Sequence, residues 1–435
     1  MSPTPGRRRV LAVAVIVAGV GLLGATVATL VAPADPAPAP TATADRPPLE
    51  RTIATAQDKL RRTPRDPATW ALLGTAYIEQ ARVTGDATYY PKAQGALEKS
   101  LAQQADGNGP ALIGLGALAN ARHEFGTARD WGERARVAAP DTAEVYGVLA
   151  DAYTQLGQAE QATAAVQRML DLEPGVASFT RAAYDLELHG RVDDAREALD
   201  RALAASVSVA DASFCRYHLG ELAFDSGKLD EAEAHYADGL RADPTNAALL
   251  QGRAKVAAAR GRTDEAIAGY RDLVARVPLP QYLHEYALLL TAAGQPADSQ
   301  FAVLDKQRTL AQASGAVDDL ADSVVAADRG DAATALRLAE AEWGRRQNVL
   351  VADAMAWALH LNGRDAEALS YADKAAALGW RNATFLFHRG VILAGLGRAG
   401  DAVSTLEEAL RVNPDFSLLH GPEAQRALTE LRGPR

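Results

Sequence analysis

Short apolar stripes of helical period alternate with turn residues along most of this chain, and the pattern recurs every 34 residues. It is clearest from Ser213 to Asn246 and, without a gap, from Ala247 to Pro280. Laid over each other, the two stretches put like residues at like places. Leu219-Gly220 stands opposite Arg253-Ala254, Gly227 opposite Gly261, and Ala232 opposite Ala266. Tyr236 matches Tyr270, Leu240 matches Val274 and Pro244 matches Pro278. Leu219, Gly220 and Ala223 make one face of a first helix, and Ala232, Tyr236, Gly239 and Leu240 one face of a second. Gly227 is placed to end the first helix with positive φ. Pro244 stops the second. Small residues at Gly220 and Ala232 let the two backbones approach closely. A fixed period of this length predicts an all-α solenoid of helix-turn-helix units, each burying its stripe only against its neighbours.

About ten such units follow one another. Leu49 to Arg62 predicts a lone helix of the second type, ended at Pro64. The first full unit starts near Pro67 and carries about seven extra residues around Thr84 to Pro91, with Tyr89 and Tyr90 among them. That turn-forming insertion is either a recognition loop or a closure of the N-terminal end. The second, third and fourth units run through Leu115-Gly116 and Ala128, Leu149-Ala150 and Ala162, and Ala183 and Ala195. The fourth ends in an irregular stretch, Ala204 to Ala212, instead of a proline. The pair described above makes the fifth and sixth. The seventh, with Tyr286-Ala287 and Gly294, has a long second helix through Lys306 to Gln312. The eighth, near Gly330 and Ala335, is the most degenerate; Met355-Ala356 and Ala368 mark the ninth, and Gly390, Leu393, Ala402 and Leu406 the tenth. Pro422 to Leu431 reads as a polar helix capping the open end. Repeats thus occupy residues 49–432, with joints near 205–212 and 308–316 that either bend the solenoid or divide it into blocks.

Before residue 49 the pattern changes. Arg7-Arg8-Arg9 closes a basic flank, residues 1–9, ahead of an uncharged apolar run from Val10 to Ala32. At about 1.5 Å per residue the run spans a bilayer core of about 30 Å. The basic flank should stay in the cytoplasm and the repeats lie outside it. The length of the run and Pro33 directly behind it favour an uncleaved transmembrane anchor. Secretion after cleavage is the alternative, with Ala42-Thr43-Ala44 as the processing site. Residues 33–48 are a Pro/Ala-rich, semi-rigid linker. Gly19-Val20-Gly21-Leu22-Leu23-Gly24 spells a dinucleotide-binding fingerprint. The proline tract that follows is no central strand, so the reading fails.

Charge and composition narrow the function. Beyond residue 32 stand 42 basic and 55 acidic residues. An acidic body argues against nucleic acid as a partner. Cysteine occurs once, at Cys215, so neither a disulfide framework nor a cysteine metal cluster forms within the chain. Cys215 reads as a small packed hydrophobe. Only 7 of the 45 basic residues are lysine, which, with abundant alanine, points to a GC-rich genome and hence a bacterium.

Trp70, Leu73, Gly74 and Tyr77, with the recurring Ala, Tyr and terminal Pro of the later units, resemble the tetratricopeptide repeat. That family sets Trp, Leu, Gly and Tyr on the first helix, Ala, Phe/Tyr and Ala on the second, and Pro at the end. The resemblance covers nearly everything after residue 48. It implies a concave wall lined by the first helix of each unit. Carried over position by position, that wall includes Asp151, Tyr184, Glu187, Tyr217, Glu221, Phe224, Lys255, His284, Asp353, Trp357, His360 and Phe387. Acids outnumber bases among them, and aromatic residues recur at places expected to face solvent. Aromatic anchors in a polar surround are what binding surfaces use. The other reading is that the aromatics pack between helices and the acids keep the surface soluble. Family members that capture a chaperone C-terminus use Lys and Asn at positions occupied here by Ala71, Thr75 and Ala117, so the carboxylate clamp is absent.

No catalytic constellation emerges. His284-Glu285 begins an HExxH motif, but Leu288 stands at the fifth place. Asn382-Ala383-Thr384 is a chance sequon in a bacterial protein. No catalytic, cofactor-binding or metal residue is assigned, and the repeats leave no room for a fused catalytic domain. The expectation is a non-catalytic, membrane-anchored scaffold outside the cytoplasm. It binds a peptide or helix of an envelope protein, with apolar and basic residues, in an acidic, aromatic groove. The alternatives are a secreted adaptor of an envelope enzyme and an enzyme with a cryptic site in the groove.

Overall fold

A computed structural model describes residues 48–313 and 317–433. The basic flank, the apolar span 10–32 and all but the last residue of the linker lie outside the described residues. Among those described, no helix is long and apolar enough to cross a membrane.

The described residues form twenty-two helices. A lone helix, α1 (Pro48–Arg62), precedes ten pairs. The first five are α2 (Pro67–Thr84) with α3 (Tyr89–Gln103), α4 (Gly109–Ala121) with α5 (Phe125–Ala138), α6 (Ala143–Leu156) with α7 (Ala159–Leu172), α8 (Val176–Leu188) with α9 (Val192–Ala204), and α10 (Val209–Asp225) with α11 (Leu229–Ala242). The rest are α12 (Ala247–Ala259) with α13 (Thr263–Arg276), α14 (Pro280–Ala292) with α15 (Asp298–Ala313), α16 (Asp319–Asp328) with α17 (Ala332–Arg345), α18 (Val349–Leu361) with α19 (Asp365–Ala375), and α20 (Ala383–Gly395) with α21 (Ala399–Val412). A last helix, α22 (His420–Arg432), packs on α20 and α21.

Two kinds of signal set the boundaries. The turn inside each pair holds one residue with positive φ: glycine in nine pairs and His123 (φ 62°) in the second. The left-handed conformation closes the first helix and aims the chain back. Between pairs, a side chain usually accepts from the new helix's backbone. Asp66, Asn108, Ser208, Asn246, Asp318, Asn348 and Asn382 all do so. The sequon asparagine is thus a cap.

Packing follows the small-and-large pattern. The ring of Tyr236 lies between Gly220 and Gly252, where a Cβ on either glycine would overlap it. Ala232, Ala266, Ala335, Ala368 and Ala402 hold one place on the second helices α11, α13, α17, α19 and α21, and all five are fully buried. Cys215 is also fully buried, and burial pushes its thiol up to about 11.

The insertion near residue 84 is partly helical. Its residues lengthen α2 to 18 residues and start α3, whose Tyr90 is buried while Tyr89 lies 5.9 Å from the Tyr77 ring. At the first joint only residues 205–208 are irregular, because Ser208 caps an early start of α10. At the second, α15 has 16 residues and α16 only 10. Ion pairs Arg329–Asp305 (3.0 Å) and Arg308–Asp322 (3.9 Å) join them. The terminal helix is amphipathic rather than polar, burying Ala424 and Leu428.

The end it caps belongs to a solenoid that meets itself. The turn after α6 lies against the loop before α18, the turn after α8 against the loop before α20, and the turn after α10 against the loop before α22. Each contact reaches six pairs downstream. Asn348 Nδ2 donates to the Gln155 carbonyl (3.0 Å), and Asn413 Nδ2 to the Phe224 carbonyl (2.9 Å). Buried Arg346 donates to Gln155 and Glu342 and lies over the Phe125 ring. A Cβ on Gly157 would overlap the Gln347 carbonyl, and one on Gly190 the Gly379 carbonyl; on Gly227 it would come within 2.9 Å of the Val412 oxygen. At Gly261, Gly294, Gly330, Gly363 and Gly397 nothing lies within 4 Å of that position. Along this seam the inner wall becomes a lumen.

Candidate functional site

The first helices of the pairs line the lumen, and their side chains join neighbour to neighbour. Arg181 on α8 holds Asp151 on α6 through two bonds of 2.8 and 2.7 Å. Lys255 on α12 donates to Glu221 on α10 at 2.6 Å, and Gln251 to Glu285 on α14 at 2.7 Å. Both of the last two links join equivalent places 34 residues apart. Second helices add the phenols of Tyr236, which donates to Glu221 (2.5 Å), and Tyr270, which donates to Glu285 (2.9 Å).

These links leave an acidic middle. Glu221, Asp225 and Glu285 surround the single ammonium of Lys255, which also lies 4.2 Å from the centre of the Phe224 ring. Burial raises the Glu285 carboxyl, with Lys255 opposing. Asp225 keeps an open face to water, yet the crowded wall lifts it to about 6 against the pull of Lys255. Burial, with Asp225 and Glu221 nearby, lifts Glu187 to about 8, although Trp380 donates to it from across the seam. Burial is the main cause at all three, and neighbouring carboxylates add to it.

The wall residues expected from sequence divide into groups. Tyr217, Glu221, Lys255 and His284 stand on the lumen side, partly exposed, with His284 Nε2 2.9 Å from Asp328 on α16. Tyr184 and Glu187 lie at the seam instead, Tyr184 in a cavity of about 290 Å³ shared with Trp343 and Gln347. Asp151 is taken by Arg181, and His360 Nδ1 by Asp365 at 2.6 Å. The expectation of solvent-facing aromatics fails at Phe224, Trp357 and Phe387, which are 5%, 8% and 0% exposed. Phe387 packs on Trp357, Phe416 and His420, because α22 and the loop before it cover this part of the wall. Asp353 is buried too, 2.9 Å from His388 Nδ1. Sequence reading missed Asp225, Glu285 and His388. Glu285 occupies the place of Gln251 one unit on and of Tyr217 two units on, so the period alone pointed to it.

The wall is not closely filled. One cavity of about 300 Å³ runs between α12, α14, α16, α18 and the loop before α22, and another of about 410 Å³ between α14, α15, α16, α18, α20 and the turn after α4, with Arg122 and Arg308 in its lining. Among the described residues no group of three or more His, Cys, Asp or Glu side chains is placed to hold a metal ion.

Models of the tetratricopeptide repeat match residues 180–247 and 217–280, and again 143–175 and 383–416. No curated protein matches the chain as a sequence. Among solved structures, the chain is similar to a tetratricopeptide repeat protein of Parabacteroides merdae at 18% identity, over 59% of this chain and 99% of that one, with a TM-score of 0.36. It is similar to TTC0263, a thermophilic repeat protein of Thermus thermophilus, at 24% identity over 44% and 98%, TM-score 0.39. Yeast Tom70 aligns at 15% identity over 88% and 86%, TM-score 0.34. Likenesses of this size carry no inference about a ligand.

Proposed function

From a chain that carries tetratricopeptide repeats at 143–175, 180–280 and 383–416, we propose a non-catalytic interaction scaffold whose lumen takes a segment of another protein. Proteins are what such repeats generally bind. The observation that carries the reading is the acidic middle of the lumen, where Glu221, Asp225 and Glu285 share one lysine beside apolar cavities. A segment with basic and apolar residues supplies both missing complements. An acidic or nucleic-acid partner would be repelled.

The partner is an envelope protein, and the scaffold is held at the membrane with its repeats outside the cytoplasm. The support is the basic flank Arg7 to Arg9, the apolar run 10–32 and the proline-rich spacer. A reporter fused after Arg435 should be active only outside the cytoplasm; activity inside would overturn this placement. The binding reading is tested by retention of envelope proteins on the full-length chain beside its Asp225→Lys variant. Asp225 is exposed, so the variant should fold. One protein held by the wild type and released at least tenfold more readily by the variant is the expected result. Identical retention by both would remove the lumen as the binding site.

A further inference from the structure

The two cavities of the second half of the lumen share His284, Val324, Asp353, Ala354, Thr384 and His388. His388 is 6% exposed. Its Nδ1 lies 3.0 and 2.9 Å from the two oxygens of Asp353. Trp357 lies flat on the ring, with centroids 4.2 Å apart and planes 14° apart. The ring is therefore fixed in place and in orientation. In the neutral ring Nδ1–H donates to the carboxylate, and the lone pair is then on Nε2. That Nε2 is buried and has no hydrogen-bond partner among the described residues. A buried acceptor without a donor is costly in a folded protein. Fixing one half of an imidazole with a carboxylate and leaving the other half unmet is the geometry of a site awaiting a donor.

The sign of the donor follows from the surroundings. The first cavity is bounded by Asp328, Asp353, Glu285 and Asp415, and by one cation, Lys255, already held by Glu221 at 2.6 Å. Asp328 lies 2.9 Å from His284 Nε2, within the same wall. An anion entering the first cavity meets carboxylates on several sides, and a cation is favoured by all of them; Arg122 and Arg308 line only the second cavity. Trp357, Leu288 and Phe416 offer apolar surface for the stem that carries the charge.

Resting on the scaffold reading above, we infer that this part of the lumen is an anchor pocket for a basic side chain of the bound segment. Its ammonium or guanidinium donates to Nε2 of His388 and is balanced by Asp328 and Asp353. The apolar stem lies along Trp357 and Leu288.

Hexylammonium is the probe, with hexanol and hexanoate as its neutral and anionic counterparts. Each is titrated into the full-length chain while the ring resonances of the histidines are followed by NMR. Hexylammonium should move the His388 signals saturably, at least tenfold more tightly than hexanol, and hexanoate should leave them in place. Both His388→Gln and Asp328→Asn should weaken hexylammonium at least tenfold. The second change lies outside the imidazole–carboxylate pair and guards against a first variant that folds poorly. Hexanoate binding as well as hexylammonium, or hexylammonium binding unaltered in either folded variant, overturns the inference. The source of the cation is tested with the capped peptide Leu-Leu-Lys-Leu-Leu and its norleucine counterpart. A tenfold preference for lysine supports a protein segment. Equal binding, with hexylammonium still held, overturns that source and assigns the pocket to free amines. An envelope partner retained equally by wild type and His388→Gln leaves the scaffold reading standing and removes this anchor from it.

Discussion

Single residues here carry two burdens, packing and charge, and Glu187 shows how they conflict. Its ordinary value is 4.5, and burial beside Asp225 and Glu221 lifts it to about 8. Between those values the folded chain holds a proton that the unfolded chain releases. The stability this group contributes is therefore complete below about pH 4.5 and is lost as pH rises through about 8. Glu187→Gln keeps the shape and abolishes the titration. The variant should gain on the wild type in melting temperature from pH 5 to pH 8.5, and an equal difference at both ends would place Glu187 in ordinary solvent. Residue by residue, the chemistry of the wall was partly legible in the sequence. Glu221 and Lys255 occupy one place in successive units, so their facing each other follows from the period. The burial of Phe224, Trp357 and Phe387 does not, because each is covered by an element outside its own unit.

The helices themselves were the legible part. Stripes, caps and turn glycines are local signals, and they specify α10 to α13 almost without help from the rest of the molecule. What local signals conceal is that equal turns are put to unequal use. Gly157 (φ 74°) and Gly261 (φ 72°) end equivalent helices in the same conformation. Gly261 is open on its outer side; Gly157 is pressed against the Gln347 carbonyl. Alanine at 261 bears only the left-handed backbone, about 1–2 kcal/mol. Alanine at 157 bears that and an overpacked contact with backbone, about 1–3 kcal/mol more. Denaturant melts of the two variants should differ by that excess. Equal losses would mean that the turns after α6 and before α18 are apart in solution.

At the scale of the whole molecule, the seam turns a row of neighbours into a closed arrangement. An ordinary solenoid is nearly one-dimensional: each unit senses only those beside it. Here Asn413 is bonded to Phe224, 189 residues away. Asn413→Ala should cost about 1 kcal/mol. It should also speed amide hydrogen exchange at Ser226 to Lys228 as well as around the mutation; faster exchange confined to the residues after 399 would show the two edges to be independent. No periodicity announces such a pairing, since 157, 190 and 227 look like every other turn glycine. The seam also sets a clock during synthesis. Gly157 emerges from the ribosome 190 residues before Gln347. At about 5–20 residues per second, the third unit waits on the order of 10–40 s with that edge uncovered. The groups that meet there most closely are carbonyls, amides and glycine backbone, which water serves well in the interval, so the nascent edge is wet rather than sticky while its other half is still being made.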